Sequence, residues 1–258
     1  MAEMISHRWA FAVALLLVPL AGIRAETVKV PDYVAAAVAD PARPDADKKD
    51  DANRKPAETV AFAKVKPGDK VGELLPGAGY YTRILGKTVG PAGHVYAVVS
   101  EDRVKDHPHA ADAPNAIAAD PAYSNVTAVV ENLREFSAPE KLDVVWTSRN
   151  YHDFYNKPYE PGFADTLNKA IFAALKPGGT YFVLDHAAAP GSGLRDTTEL
   201  HRIDPKAARR EIQKAGFVFE GESKILHNPK DIYTDKVFDG AVQGKTDQFI
   251  YRFRKPRK

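Results

Sequence analysis

The chain has 258 residues, with 36 basic and 34 acidic side chains, 44% apolar residues and no cysteine. Charge this balanced and this mixed argues against a nucleic-acid-binding surface, and the lack of cysteine excludes disulfides. The length suits one large α/β domain with a substantial core.

The first 25 residues differ from the rest. His7 and Arg8 precede an apolar run from Trp9 to Val18, then Pro19 and small residues leading to Ala25. A positive start, a short apolar core and a small residue at the end read as a secretory signal peptide cut after Ala25. The run is too short to span a bilayer, so no stable membrane insertion is expected after cleavage. A periplasmic or secreted protein follows. Residues 26–55 then read as a peripheral, helical and charged extension. A short helix is expected from Pro31 to Val38, and a solvated helix across the Asp- and Lys-rich stretch that follows. Residues 56–258 form the domain proper.

Pro56 opens a helix that ends at Pro67-Gly68. Val71 to Leu75 reads as a buried parallel strand, broken at Pro76-Gly77-Ala78-Gly79 and followed by helical spacing of Tyr80, Tyr81, Ile84 and Leu85. Strand, glycine turn and helix bring bare backbone N–H groups up to a ligand. Glu73 lies near the end of that strand, where a carboxylate can meet an amine or a hydroxyl. His94 to Ser100 is a second strand, with Glu101 just beyond it at the distance where nucleotide-binding units place a ribose acid. Residues 102–123 read as short helix and loop. Residues 125–130 and 142–147 are the third and fourth strands, the latter ending in the polar loop Ser148-Arg-Asn-Tyr-His-Asp-Phe154.

A helix over 163–175 stops at Lys176-Pro-Gly-Gly179, and Tyr181 to Leu184 is the fifth strand, running into Asp185-His186. A helix over 203–215 precedes two strands, 217–226 and 248–253, that no helical pattern separates. These two are expected to pair antiparallel. The basic cluster Arg252, Arg254, Lys255, Arg257 and Lys258 reads as a solvated end. Alternating β and α of this kind is a doubly wound, mostly parallel sheet with an antiparallel last strand.

This pattern resembles the class I S-adenosylmethionine-dependent methyltransferases over roughly residues 56–254. The carriers are Val71-Gly-Glu-Leu-Leu-Pro-Gly-Ala-Gly79, Leu142-Asp-Val-Val-Trp146 and Leu175-Lys-Pro-Gly-Gly-Thr-Tyr-Phe182. Within that family the chain looks like a group of exported bacterial methyltransferase-like proteins, which share Pro-Gly-x-Gly-x-Tyr-Thr, an Asn-x-His-Asp-like loop and Gly244-Lys-Thr-Asp247. The resemblance implies a seven-stranded Rossmann-like sheet, S-adenosylmethionine as cofactor and methyl transfer to a small-molecule acceptor. By position, Glu73 would meet the methionine amine, Pro76, Gly77, Gly79 and Tyr80 would shape the ligand turn, and Asn132 would sit near the adenine. Leu75 stands where the family has its first glycine. The family's ribose acid falls on Val99, leaving Glu101, two residues on, as the substitute.

Methyl transfer from a sulfonium is an in-line displacement governed by position, with a base needed only when the acceptor must lose a proton. His152 is the candidate base, with Asp153 beside it, Tyr151 as a wall of the site and Asn150 on the cofactor side. Capping of the following helix is the competing account of this loop. Two other readings stay open: a non-catalytic ligand-binding protein of the same fold, since the donor is made in the cytosol, and a metal-dependent enzyme using His152, Asp185 and His186, with His201 as a fourth candidate.

Overall fold

A computed structural model describes residues 29–159 and 161–257, so the expected signal peptide lies outside the described residues. Eight α-helices and seven strands are named here, in chain order. The helices are α1 (Asp32–Val38), α2 (Asp45–Arg54), α3 (Pro56–Ala63), α4 (Tyr80–Val89), α5 (Glu101–Asp106), α6 (Asp112–Ala119), α7 (Phe163–Ala174) and α8 (Pro205–Lys214). The strands are β1 (Lys70–Leu74), β2 (His94–Ser100), β3 (Val126–Glu131), β4 (Leu142–Ser148), β5 (Leu175–His186), β6 (Val218–Ser223) and β7 (Gln248–Arg254).

The strands form one sheet in the order β3-β2-β1-β4-β5-β7-β6. The pairs from β3 through β5 are parallel, and β7 runs antiparallel to both β5 and β6. This is the expected doubly wound sheet with its antiparallel last strand.

Alternate residues of each central strand enter two separate cores, as period-2 geometry requires. On β5, Tyr181 and Val183 pack with Leu167 and Ile171 of α7 and Ile212 of α8. Phe182 and Leu184 face the other way, with Trp146 of β4, Ile84 and Leu85 of α4, and Val34 and Val60 from α1 and α3. Trp146 and Phe182 stack with ring centroids 3.9 Å apart. Among the described residues, no helix is long and apolar enough to cross a membrane.

Three local expectations are corrected. Lys176-Pro-Gly-Gly179 does not lie outside the strand: β5 already starts at Leu175 and bulges there, pairing Leu142 with Leu175 and Val144 with Thr180. The backbone of Lys255 exchanges hydrogen bonds with Gly178 and Gly179, which holds the bulge in the sheet. The basic end is not simply solvated either. Arg252 is buried, donating from Nη1 to the Phe62 carbonyl at 2.6 Å and from Nε to Glu220 at 3.1 Å.

The third correction concerns α2. It has no buried residue, as the charged sequence suggests, yet its acids grip the body of the fold. Asp51 takes a bidentate pair from the buried Arg43 at 2.7 and 2.9 Å and accepts from Tyr80 Oη at 2.6 Å. Asp47 pairs with Arg83 of α4 at 3.2 Å. The extension is therefore fastened over the glycine turn.

Candidate functional site

Strand order reverses its direction of growth between β1 and β4, and in doubly wound sheets ligands bind beyond the carboxyl ends of the strands at such a point. Two cavities open there. The larger, of about 580 Å³, is lined by Leu75, Pro76, Gly77 and Ala78 of the turn after β1, Val99 of β2, Arg103, His107 and His109 around α5, and Asn150 and Asp153 after β4. The smaller, of about 40 Å³, lies between Glu73, Arg54, Tyr80, Tyr81, Ser148 and Asn150. Leu75, Pro76 and Asn150 line both.

The turn after β1 explains the missing glycine. Leu75 has φ +52°, the left-handed conformation that a glycine would adopt without strain. Holding it costs about 1 kcal/mol. The backbone is pinned on both sides: Leu75 N donates to the Val98 carbonyl at 2.8 Å, and Asn150 Nδ2 donates to the carbonyls of Leu74 and Leu75 at 3.2 and 3.1 Å. Gly77 (φ +57°) has open space where a Cβ would stand, so it presents bare backbone to the large cavity. Gly79 (φ +79°) does something else. A Cβ there would meet Ile117 Cδ1 of α6 at 2.1 Å, so this glycine serves helix packing rather than ligand approach.

Glu73 is buried, and Thr82 Oγ1 donates to its Oε2 at 2.6 Å. Burial raises its pKa to about 7, against the opposing pull of that hydrogen bond and the Arg83 charge. Basic groups stand nearby. The Arg54 guanidinium sits 4.3 Å over the Tyr80 ring. Arg149 follows Ser148 with φ +62°; burial and the neighbouring Arg54 charge lower its pKa to about 10. Its Nε donates to Gln248 Oε1 at 2.9 Å, while its buried Nη2 and Ser148 Oγ have no hydrogen-bond partner. A buried carboxylate, a buried cation and unpartnered polar atoms form a setting fit for a zwitterion.

The His152 loop is a short 3-10 turn, Tyr151–Tyr155. Asp185, at the end of β5, orients it: Oδ2 accepts from the His152 backbone N at 2.7 Å and Oδ1 lies 2.8 Å from Nδ1. His152 Nε2 lies 3.2 Å from Asp153 Oδ1. Burial acts to lower the His152 pKa, but the Asp185 charge and the Asp153 hydrogen bond override it and raise it to about 10. His186 is driven the other way, well below the usual range, by burial and by the Arg149 charge.

The other expected site residues divide. Pro76, Gly77, Asn150 and Asp153 line the large cavity, and Glu73 and Tyr80 the small one. Tyr151 does not wall the cleft: its ring is fully buried in the core, and its hydroxyl accepts from Asn168 Nδ2 at 2.9 Å. Glu101 opens α5, where the helical backbone turns its side chain to solvent. Asn132 caps the 3-10 turn Leu133–Glu135 by accepting from Arg134 N at 3.1 Å. Neither lines the cavities described. Asp185 and His186 do not converge on a common point, because His186 Nδ1 turns to Thr246 Oγ1 at 2.7 Å. Arg54, Arg103 and Ser148–Arg149 went unread as site residues. The polar run after β4 was the signal for the last pair, whereas nothing local in the sequence marks Arg54.

Comparison with solved structures agrees with this architecture. A S-adenosylmethionine-dependent methyltransferase from Aquifex aeolicus superimposes with a TM-score of 0.54 at 17% identity, over 83% of this chain and 98% of that one. The fold is that of the S-adenosylmethionine-dependent methyltransferases. An arsenic(III) S-adenosylmethionine methyltransferase from Chlamydomonas reinhardtii, CrArsM, aligns with a TM-score of 0.53 at 17% identity, over 88% of this chain and 74% of that one. The [4+2]-cyclase SpnF aligns equally well, with a TM-score of 0.55 at 16% identity, over 83% of this chain and 82% of that one. The methyltransferase fold thus also serves a protein described as a cyclase, so chemistry must be argued from the site. Among curated proteins, the protein-L-isoaspartate O-methyltransferase of Ignicoccus hospitalis is 35% identical over 123 residues, which are 48% of this chain. The match spans half the length of that relative. No protein-family model matches the chain.

Proposed function

We propose that this chain is a S-adenosylmethionine-dependent methyltransferase acting on a small-molecule acceptor. The observation that carries the reading is the pair of cavities sharing Leu75, Pro76 and Asn150 as walls. The larger has room for an adenosine, and the smaller offers Glu73 to an ammonium group and Arg54 to a carboxylate. One ligand reaching across the glycine turn would use both. When bound, S-adenosylmethionine supplies an electrophilic sulfonium methyl group. The chain's own residues hold and orient: Gly77 admits the ligand to the backbone, Glu73 balances the amine, and Arg54 with Arg149 sets a positive field for the carboxylate. Displacement at carbon then needs alignment more than covalent help.

His152 has both ring nitrogens against carboxylates and a pKa raised to about 10, so at neutral pH it is a cation. Its role is to position Asp153, which borders the cleft, rather than to abstract a proton. Asp153 is the group available to an acceptor. The partial relative favours a second acceptor class, a carboxylate such as that of an isoaspartyl peptide, which Arg103 in the wall of the larger cavity would suit. The N-terminal sequence supports export with cleavage after Ala25, and a mature protein beginning at Glu26 on N-terminal sequencing is the check.

Calorimetric titration with S-adenosylmethionine and S-adenosylhomocysteine tests the main proposal. Micromolar binding, abolished by Gly77→Val and by Glu73→Ala, is expected. No heat and no thermal shift at millimolar ligand would reject the donor and leave a methyltransferase-fold protein that binds something else.

A further inference from the structure

Beside the cleft, three side chains from two separate segments bring ligand atoms together. His152 Nε2 lies 3.2 Å from Asp153 Oδ1, and His201 Nδ1 lies 3.6 Å from the same oxygen. One ligand atom from each of the three falls within 4.8 Å of the others. Bonds of zinc length in tetrahedral array put ligand atoms about 3.4 Å apart, close to the 3.2 and 3.6 Å that separate Asp153 Oδ1 from the two histidine nitrogens. We propose that His152, Asp153 and His201 bind a divalent transition-metal ion of the zinc class at the edge of the larger cavity, where Asp153 forms part of its wall.

Two further features favour an ion over a simple cluster. Asp185 occupies Nδ1 of His152, fixing the ring so that Nε2 is the atom presented to Asp153 and His201; a bound ion would displace the Nε2 proton that His152 carries in the metal-free chain. A carboxylate behind a histidine is how metal-binding imidazoles are commonly oriented, and it makes the opposite nitrogen a better donor. His201 is likewise held in place, although it lies far along the chain. It has φ +54°, its ring meets that of His152 edge-on at 5.4 Å, and Phe238 packs against its far side at 4.9 Å. Two imidazoles and one carboxylate suit Zn²⁺ or Co²⁺ better than Mg²⁺ or Ca²⁺, which prefer oxygen. Three protein ligands leave a coordination position free. Asp153 also lines the large cavity, so an exchangeable ligand can reach the ion from the cleft.

The test is titration of the purified full chain with Zn²⁺ by calorimetry and with Co²⁺ by visible absorption. One equivalent should bind, with the d–d bands of four-coordinate Co²⁺. Asp153→Asn and His201→Ala should each weaken binding by about tenfold or more. Both positions are partly exposed, so a cooperative melting transition is expected to survive in each, and either one suffices for the comparison. Absence of heat and of d–d bands in the wild-type chain overturns the site, as does binding unchanged in the variants. Titration with S-adenosylhomocysteine alone, before metal is added, reads the donor site separately, so either proposal can fail without the other.

Discussion

The Asp185 carboxylate gathers three N–H donors: the His152 backbone at 2.7 Å, His152 Nδ1 at 2.8 Å and the His186 backbone at 2.8 Å. It is fully buried, so no water competes for these contacts. One side chain at the end of β5 thereby fixes the loop after β4, tying two neighbouring strands together where the cleft begins.

An amide cannot replace that carboxylate. Asp185→Asn leaves one acceptor oxygen for three donors and points an NH₂ group at one of them. Its cost should be about 3 kcal/mol, the range for breaking a buried charged contact. Urea unfolding should show the midpoint falling with little change in slope.

Glu73 gives the fold a defined pH dependence. Its pKa is raised from 4.5 to about 7 on folding, so between those values the folded chain keeps a proton that the unfolded chain releases. Stability on this account is greatest below pH 4.5 and declines as pH rises to about 7. Glu73→Gln removes the titrating group but keeps an acceptor for Thr82. It should match the wild-type below pH 4.5 and exceed it at pH 8 by at most about 3 kcal/mol. Melting temperatures across that range make the comparison.

Gly77 and Gly79 should separate ligand binding from stability. Gly77→Ala adds a methyl group into open cleft and strains a left-handed residue, costing about 1 kcal/mol of stability and weakening S-adenosylhomocysteine binding. Gly79→Ala adds the same strain and pushes against Ile117, so its loss of stability should be the larger of the two. Thermal denaturation and calorimetric titration of both variants give the two readouts.

Asp247 holds the long connection between β6 and β7. Its Oδ1 faces His227 Nδ1 at 2.9 Å and accepts from Asn228 N at 2.8 Å, while Oδ2 accepts from Tyr233 Oη at 2.9 Å. Asp247→Ala should speed amide hydrogen exchange across 227–233 while leaving that of β1 to β4 unchanged.

Most of the sheet could be read from the chain because its parallel strands are short, largely apolar runs closed by Gly, Pro or polar residues, and both kinds of pattern are local. Val71 to Leu74 and Leu142 to Trp146 carry that signal with no outside help. The misreadings arise where a distant contact overrides it. Lys176-Pro-Gly-Gly179 has turn composition, but pairing with Lys255 keeps it in β5. Glu101 has the right distance from the glycines, yet α5 starts at that residue and rotates the side chain away. The side chain of Leu75 gives no sign of its left-handed backbone, because a hydrogen bond to β2 and one from Asn150 hold it there. Gly244-Lys-Thr-Asp247 was legible as a motif, and its work is structural: Thr246 anchors His186 and Asp247 anchors the connection. The part played by Arg54 was invisible, since a polar helix without periodicity gives no sign of what it covers.

The way α2 is fastened makes the smaller cavity responsive to ionic strength. Arg54 reaches it only while the helix stays seated, and the seat is ionic rather than apolar. The Asp47–Arg83 pair is partly exposed on both sides, whereas Arg43 under Asp51 is sealed from water. Counterions screen exposed pairs over about 8 Å at physiological salt and buried ones far less. Rising salt should therefore loosen the helix first at its Asp47 end, with Asp51 as the pivot, while the sheet beneath stays folded.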